Sequence, residues 1–548
     1  MKKLICSLWF LIITSNFSLG QSFYRIDDYC FGTTKSEGLA KVLKIGNKFY
    51  LAGNSSCPKA EWDKSENNCD TIFSHSNSWT ICSDSNFNKI WDKTYGGRLN
   101  TFIVDAINYK NGILLCGYTI SDSSCSNISN GKGSPTNSDY ILYFLDTLGN
   151  KINEIRLGSF SIEEESKVIE TSDKGLLVVG VSGGNATGDR SQNSWGGRDF
   201  WGVKLDSMGN KQWDNAWGGN GNESYLKGIL PLDNGSFMLY GMTESGNSGI
   251  VSSGYYGSGD AWVIVIDSTG SKVWDKSFGG TATDIVNKAI FHKNHFYLLG
   301  TTKSEPLNGG SITLPGFGLD DIWLMKTDSN GTIIWEKRFG ASLQDEGIDL
   351  IPNNAGGLFI LGDIYTSGNG SFPSINYGST DFVIMSIDSI GTLLSYKILG
   401  TNHQDGPTGM LSINDSTMLL YGSSLVGTSD VKLCAGHLAP PPANNAFNTD
   451  YWVIKVGYGT TTTSINQLQN NITLKVQPNP AHDQINITGL PPATYEVNTY
   501  CLDGRLVMSN TYTSDLSLTL AIENLQSGMY MTSIKNENIN TTVRWVKE

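Results

Sequence analysis

Carboxylates recur in this chain at a spacing that could do chemistry. Glu37, Glu163, Glu223, Asp284, Asp345 and Asp405 each stand five residues beyond a glycine that opens a turn, and Thr101 occupies the remaining equivalent place. A second set, Asp139, Asp199, Asp260, Asp321, Asp381 and Asp450, opens apolar runs, with Asn77 in the first of them. Carboxylates gathered on one face could hold a hard cation such as calcium. They could also supply an acid–base pair for glycoside cleavage, although carboxylate pairs are present in such excess that they discriminate nothing. The competing role is structural, each carboxylate accepting backbone N–H bonds and locking a loop. Occurrence in nearly every repeat favours locks, because a binding site usually breaks symmetry. Asp328-Ser-Asn-Gly331 resembles half a calcium loop and is expected to be only a turn. No metal site and no cofactor is assigned beyond the possibility of calcium.

Aromatic residues form the second candidate set. Trp62, Trp195, Tyr255, Tyr256, Phe317, Tyr377 and Phe447 lie in long loops rich in Gly, Ser and Asn. Long loops on a rigid scaffold are where binding normally resides, and exposed aromatics suit flat sugar faces or protein surfaces. The competing role is packing of each ring on its own loop, which the recurrence of aromatic-Gly-x-x-Asp supports. No catalytic constellation emerges. The histidines (His75, His292, His295, His403, His437 and His482) fall in no HExxH pattern, GxSxG is absent, and His403 and His437 are expected at the surface. Arg98, Arg190 and Arg198 form no evident set.

These residues are positioned by a repeat. Lys272-Val-Trp-Asp-Lys-Ser-Phe-Gly-Gly280 has siblings whose Trp-equivalent positions are 91, 153, 213, 274, 335 and 395, a period of 60–62 residues. Within one unit, Lys288–His292, Phe296–Thr301, Ile322–Thr327 and Ile333–Phe339 read as four strands, with turns at Lys293-Asn294 and Asp328–Gly331. Four antiparallel strands per repeat is one propeller blade. Seven units begin near residues 37, 101, 163, 223, 284, 345 and 405. The seventh lacks a fourth strand, and Asp28-Tyr-Cys-Phe-Gly32 matches Asp275-Lys-Ser-Phe-Gly279, so the N-terminus should complete it and close the ring. Trp213, Trp274 and Trp335 are expected in the core. The fold class is all-β: a seven-bladed β-propeller over 21–457, a polar linker at 458–470, and a small β-sandwich at 471–548.

A net charge of −13 argues against nucleic acid and anionic membrane as partners. Met1-Lys-Lys3 and the apolar run that follows read as a signal peptide over 1–20, and no later segment is apolar enough to span a bilayer. Export makes disulfides plausible, with Cys57–Cys69 and Cys116–Cys125 as loop staples. The propeller is expected to be monomeric.

The tail resembles the type A C-terminal sorting domain of the Bacteroidetes type IX secretion system. The resemblance rests on Val476-Gln-Pro-Asn-Pro480 (Pro478, Asn479 and Pro480), Gly504 within Tyr500–Val507, Gly528 within Leu525–Tyr530, and the terminal Val543-Arg-Trp-Val-Lys547. Gln477 departs from the family's usual aromatic before Pro-Asn-Pro. The resemblance implies recognition by that machinery, outer-membrane translocation, and release or surface anchoring after the domain is removed. The repeat resembles Trp-x-Lys-x-Phe-Gly-Gly propeller repeats of secreted proteins from the same bacteria. Asp206–Trp213 also looks like the Asp-box of sialidase-like propellers and the Trp-docking repeat of quinoprotein dehydrogenases, both of which hold blades together. The expected role is a binding or scaffolding module for extracellular glycan or protein. The alternative is a propeller enzyme acting on polysaccharide, with a quinoprotein-like enzyme less favoured.

Overall fold

The 60-residue period folds as four antiparallel strands. In the fifth repeat these are Asp284–His292, His295–Thr302, Asp321–Thr327 and Ile333–Phe339, paired in chain order. Lys293 and Asn294 take φ of 50° and 61°, the mirror-image turn that suits the twist of a two-residue hairpin. The next turn is tied by Asp328, whose Oδ1 accepts the N–H groups of Asn330 and Thr332 at 2.9 and 2.8 Å. As expected from sequence, this Asp-x-x-Gly segment is a turn.

The structure, a computed structural model, describes residues 21–121, 137–306, 310–365, 370–373, 377–425, 448–460, 474–490, 492–501, 506–514, 517–536 and 540–548. Its two units, divided between Gly459 and Thr460, are taken separately. The first holds seven four-stranded sheets. In the last, the N-terminal strand Gln21–Phe31 pairs outside Thr449–Thr460, as the sequence register requires. The indole N–H of Trp452 reaches Asp28 at 3.3 Å, the bond that Trp262 makes to Asp275 at 3.2 Å within its own blade. Each innermost strand touches those of both neighbouring blades, and seven apolar clusters, each drawn from two adjacent sheets, fill the seven interfaces. One of them joins Leu419, Tyr421 and Val453 to Leu39, Leu51 and Ile81, closing the ring from last blade to first. This is a seven-bladed β-propeller. Middle strands are covered on both faces, which is why Ala261-Trp-Val-Ile-Val-Ile266 is a continuous apolar run and wholly buried.

Two expectations need correction. Trp213, Trp274 and Trp335 are only partly buried; among the described residues of the propeller the fully buried indoles are Trp79, Trp201, Trp262, Trp323 and Trp452, on third strands. The repeated Trp sits on an outer strand and caps the next blade's turn, so that a Cβ on Gly331 would lie 3.1 Å from the Trp274 ring. Position along the outer strand decides this, since Trp217, at the end of such a strand, is only 2% exposed. Cys57 and Cys116 are free, buried thiols, so neither loop staple forms. Cys57 points back along its own loop, its Sγ 3.2 Å from the Lys59 carbonyl and 3.1 Å from Glu61.

The second unit sets a three-stranded sheet (Lys475–Gln477, Gln484–Thr488, Ser517–Ala521) against a four-stranded one (Ala493–Cys501, Leu506–Ser514, Gly528–Lys535, Asn540–Lys547) around one core that includes Ile485, Tyr495, Ile534 and Trp545. Asn479 of Pro-Asn-Pro accepts the Val546 N–H at 2.9 Å, and Lys547 donates to the carbonyls of His482 and Ile522 at 2.6 and 2.8 Å. The motif between Pro478 and Pro480 thus pins the final strand. Gly528 opens the strand beside it, and Gly504 lies outside the described residues.

Candidate functional site

The rim carboxylates are buried, not displayed. Glu37, Glu163, Glu223, Asp284, Asp345 and Asp405 are each at most 1% exposed and accept hydrogen bonds from the turn before them. Gly280 N–H reaches Asp284 at 2.9 Å, and Ser304 Oγ donates to the same carboxylate at 2.8 Å. Glu223 is held by Gly219 N–H at 2.8 Å and Thr243 Oγ1 at 2.6 Å. Each acid faces the Asp that opens the preceding blade's third strand. A Cβ on Gly218 would lie 2.2 Å from Asp199 Oδ1 and 2.3 Å from Glu223 Oε2, so only glycine fits between the two carboxyl groups. Burial pushes Asp260 up to about 7, with Asp284 adding to it, and pushes Asp345 to about 7 with Asp321 adding. Glu37 rises to about 8, again chiefly by burial. Buried arginines answer three of these pairs, Arg156 at Asp139, Arg190 at Asp199 and Arg338 at Asp321; where none does, as at Asp260 and Asp284, a shared proton would stabilise the pair. The first junction replaces both acids by Asn77 and Thr101 and has no charge to bury. Among the described residues no three His, Cys, Asp or Glu side chains converge as a metal-ligand set.

The loop aromatics stand on a clamped backbone. The N–H groups of Trp195, Tyr256, Phe317 and Tyr377 donate to Asp199, Asp260, Asp321 and Asp381 at 2.9, 2.8, 3.0 and 2.6 Å. The following glycine lies on the next blade's turn: a Cβ on Gly318 would come within 2.2 Å of the Ala341 carbonyl. Four consecutive blades therefore present an aromatic ring at one repeat position. Trp195, Phe317 and Tyr377 are 49, 45 and 52% exposed, and Tyr256 is half-buried. Trp195 also ties its indole N–H to the Ala216 carbonyl at 3.1 Å, fixing the ring's edge. Phe73, which sequence reasoning passed over, stands at the same offset before Asn77 and is exposed. Trp62 and Tyr255 are exposed but occupy other loop positions; Phe447 and His437 lie outside the described residues. Arg98, Arg190 and Arg198 each meet a different carboxylate, those of Asp70, Asp199 and Glu164, and form no joint anion site.

A second site, unforeseen from sequence, runs down the propeller axis. Six of the seven inner strands carry a β-bulge at one equivalent point, as between Leu39 and Lys41 or Val286 and Lys288. In the fourth blade the same stretch leaves the strand, with Tyr225 at a φ of 58°, and pairing resumes at Gly228. A bulge re-aims the side chains beside it. The residues four places beyond the rim acids and Thr101, namely Lys41, Asp105, Lys167, Lys227, Lys288 and Asp349, thereby line an axial cavity of about 390 Å³. Lys288 lies 2.9 Å from Asp349, which holds its amine above the usual range; Lys41 lies 3.9 Å from Asp105. Both aspartates also tie blades together, accepting the N–H groups of Met410 at 3.0 Å and Val168 at 3.3 Å. Tyr240 and Tyr421 join the lining where the inner strand has glycine: a Cβ on Gly228 would fall 2.1 Å from the Tyr240 hydroxyl, and one on Gly409 2.5 Å from that of Tyr421. The signal in sequence was a repeat position that varies (Lys, Asp, Lys, Lys, Lys, Asp, Gly), hidden because the period was read from positions that do not.

No match was found among curated proteins. Solved structures similar to the chain include the WD40 domain of Neurospora crassa Pan2 (9% identity, 79% of this chain and 96% of that chain, TM-score 0.40). Others are a Dyadobacter fermentans protein of unknown function (11%, 80% and 99%, 0.38) and the phage phi92 endosialidase (9%, 96% and 87%, 0.38). Residues 475–548 match the family model of the secretion system C-terminal sorting domain. No helix among the described residues is long and apolar enough to cross a membrane. The chain is thus a seven-bladed β-propeller followed by a C-terminal domain that matches the secretion system sorting family over residues 475–548, a tail that implies export.

Proposed function

We propose that the propeller is an extracellular binding module whose loop face takes up a glycan, with a protein surface as the other partner class that the same aromatics would suit. The observation that carries this reading is the arc of Trp195, Tyr256, Phe317 and Tyr377, held at one repeat position on a backbone fixed by carboxylate and glycine contacts. Exposed rings on a pinned backbone lose little entropy on binding, and their flat faces match the apolar faces of sugars. Export would begin with the leader at 1–20 and be completed through the sorting domain, after which the propeller is released or anchored at the cell surface. Calcium binding at the buried carboxylate pairs would require them to ionise against the burial that raises Asp260 and Asp345.

A glycan array probed with the secreted chain tests the reading. A defined glycan bound by the wild type and lost in Trp195→Ala and Phe317→Ala supports it. Absence of any hit, or a hit indifferent to both substitutions, removes the loop arc as a glycan site.

A further inference from the structure

We propose that the axial bore binds a small oxyanion, the sulfate, phosphate or carboxylate group of a ligand, between Lys167 and Lys227. The bore runs against the character of the whole chain. The protein carries a net charge of −13, yet four lysines and two aspartates line the axial cavity. Lys41 and Lys288 are matched with Asp105 and Asp349. Lys167 and Lys227, on adjacent blades, have no carboxylate within salt-bridge distance among the described residues. Lys167 donates to the Val104 carbonyl at 2.9 Å, and Lys227 lies 5.5 Å from the Tyr225 ring centroid. Neither contact neutralises charge.

The two partly buried ammonium groups face one cavity and repel each other, and an anion between them would relieve that repulsion. Burial, with Lys41 and Lys227 nearby, holds the Lys167 amine below its usual range, against the opposing pull of Asp105. Access exists from a second cavity of about 440 Å³ that shares Lys167, Lys227, Asn287 and Thr408 with the first. Glu346 lines that mouth and does not line the axial cavity. A volume of about 390 Å³ falls within the range of small-molecule sites and exceeds what one inorganic ion fills.

Calorimetric titration of the full secreted chain with sodium sulfate, sodium phosphate and glucuronate tests the site. We expect saturable binding of at least one probe at one per chain. It should weaken roughly tenfold or more in Lys167→Met or Lys227→Met, as for loss of one charge-assisted hydrogen bond, and survive in Lys227→Arg. Tighter binding of glucuronate than of sulfate or phosphate assigns the oxyanion to an acidic sugar; the reverse order assigns it to a free ion. A measurement on the wild type avoids any folding defect of the variants: acetylation of lysines followed by mass spectrometry, where the bound probe should slow reaction at Lys167 and Lys227 and leave the exposed Lys174 unchanged. No saturable binding by any probe, affinity unchanged in both Met variants, or equal labelling with and without the probe overturns the proposal.

Discussion

The rim and the bore are built from the same inner strands, four residues apart, yet follow opposite rules. At the rim, six of seven repeats place a buried acid at one position, and each acid locks the turn before it. In the bore the equivalent positions read Lys, Asp, Lys, Lys, Lys, Asp and Gly, and the side chains face a common cavity. The rim solves a problem that every blade shares, how to hold a tight turn against the next sheet, so its residues repeat. Side chains on the axis meet each other and whatever enters, so nothing obliges them to be alike. In a closed repeat protein, sameness marks the scaffold and variation marks what the scaffold carries.

The sharpest way to break this contrast is to attack the scaffold. Trp262→Ala removes a fully buried indole and leaves Asp275 without that donor, and should cost about 3–5 kcal/mol in chemical denaturation. Trp274→Ala, at the position sequence marked as core, should cost clearly less because that ring is only half enclosed. Equal losses would mean that the outer-strand Trp is as central as sequence suggested. Next, Gly218→Ala drives a methyl group between Asp199 and Glu223 and should cost about 1–3 kcal/mol, measured the same way.

The carboxylate pairs predict a pH dependence. Folded-state values of about 7 for Asp260 and Asp345, and about 8 for Glu37, lie above the ordinary 3.8 and 4.5. The folded state therefore binds these protons more tightly than the unfolded chain. Their stabilisation is complete below the ordinary values and is lost as pH rises through about 7 to 8. The melting temperature should fall from mildly acidic to mildly alkaline pH, and Asp260→Asn together with Asp345→Asn should flatten that fall. A melting temperature that rises over the same range would rule out shared protons. The smallest effect belongs to the bore: Lys227→Met should change stability by no more than about 0.5 kcal/mol, since it forms no ion pair. A large loss would make the lysine another scaffold residue and erase the contrast.

Much of this was legible in the chain. The 60-residue period, the strand order within a blade, the closing role of Asp28–Gly32 and the Pro-Asn-Pro tail all follow from local patterns, because turns and apolar runs are decided by neighbours in sequence. The aromatic-Gly-x-x-Asp loops were legible too, although which rings stay exposed was not. The buried Trp on the third strands, the free Cys57 and the axial lysines were not legible. Enclosure is a property of what lies on the far side of a residue, and those partners come from another blade or the opposite wall of the ring. The sequence by itself determined how many blades there are, how each is built and where the export address lies. Only the closed tertiary structure decided that acids five residues beyond the turn glycines are sealed inside the rim, while residues four places further on, turned by a bulge, meet around one axis.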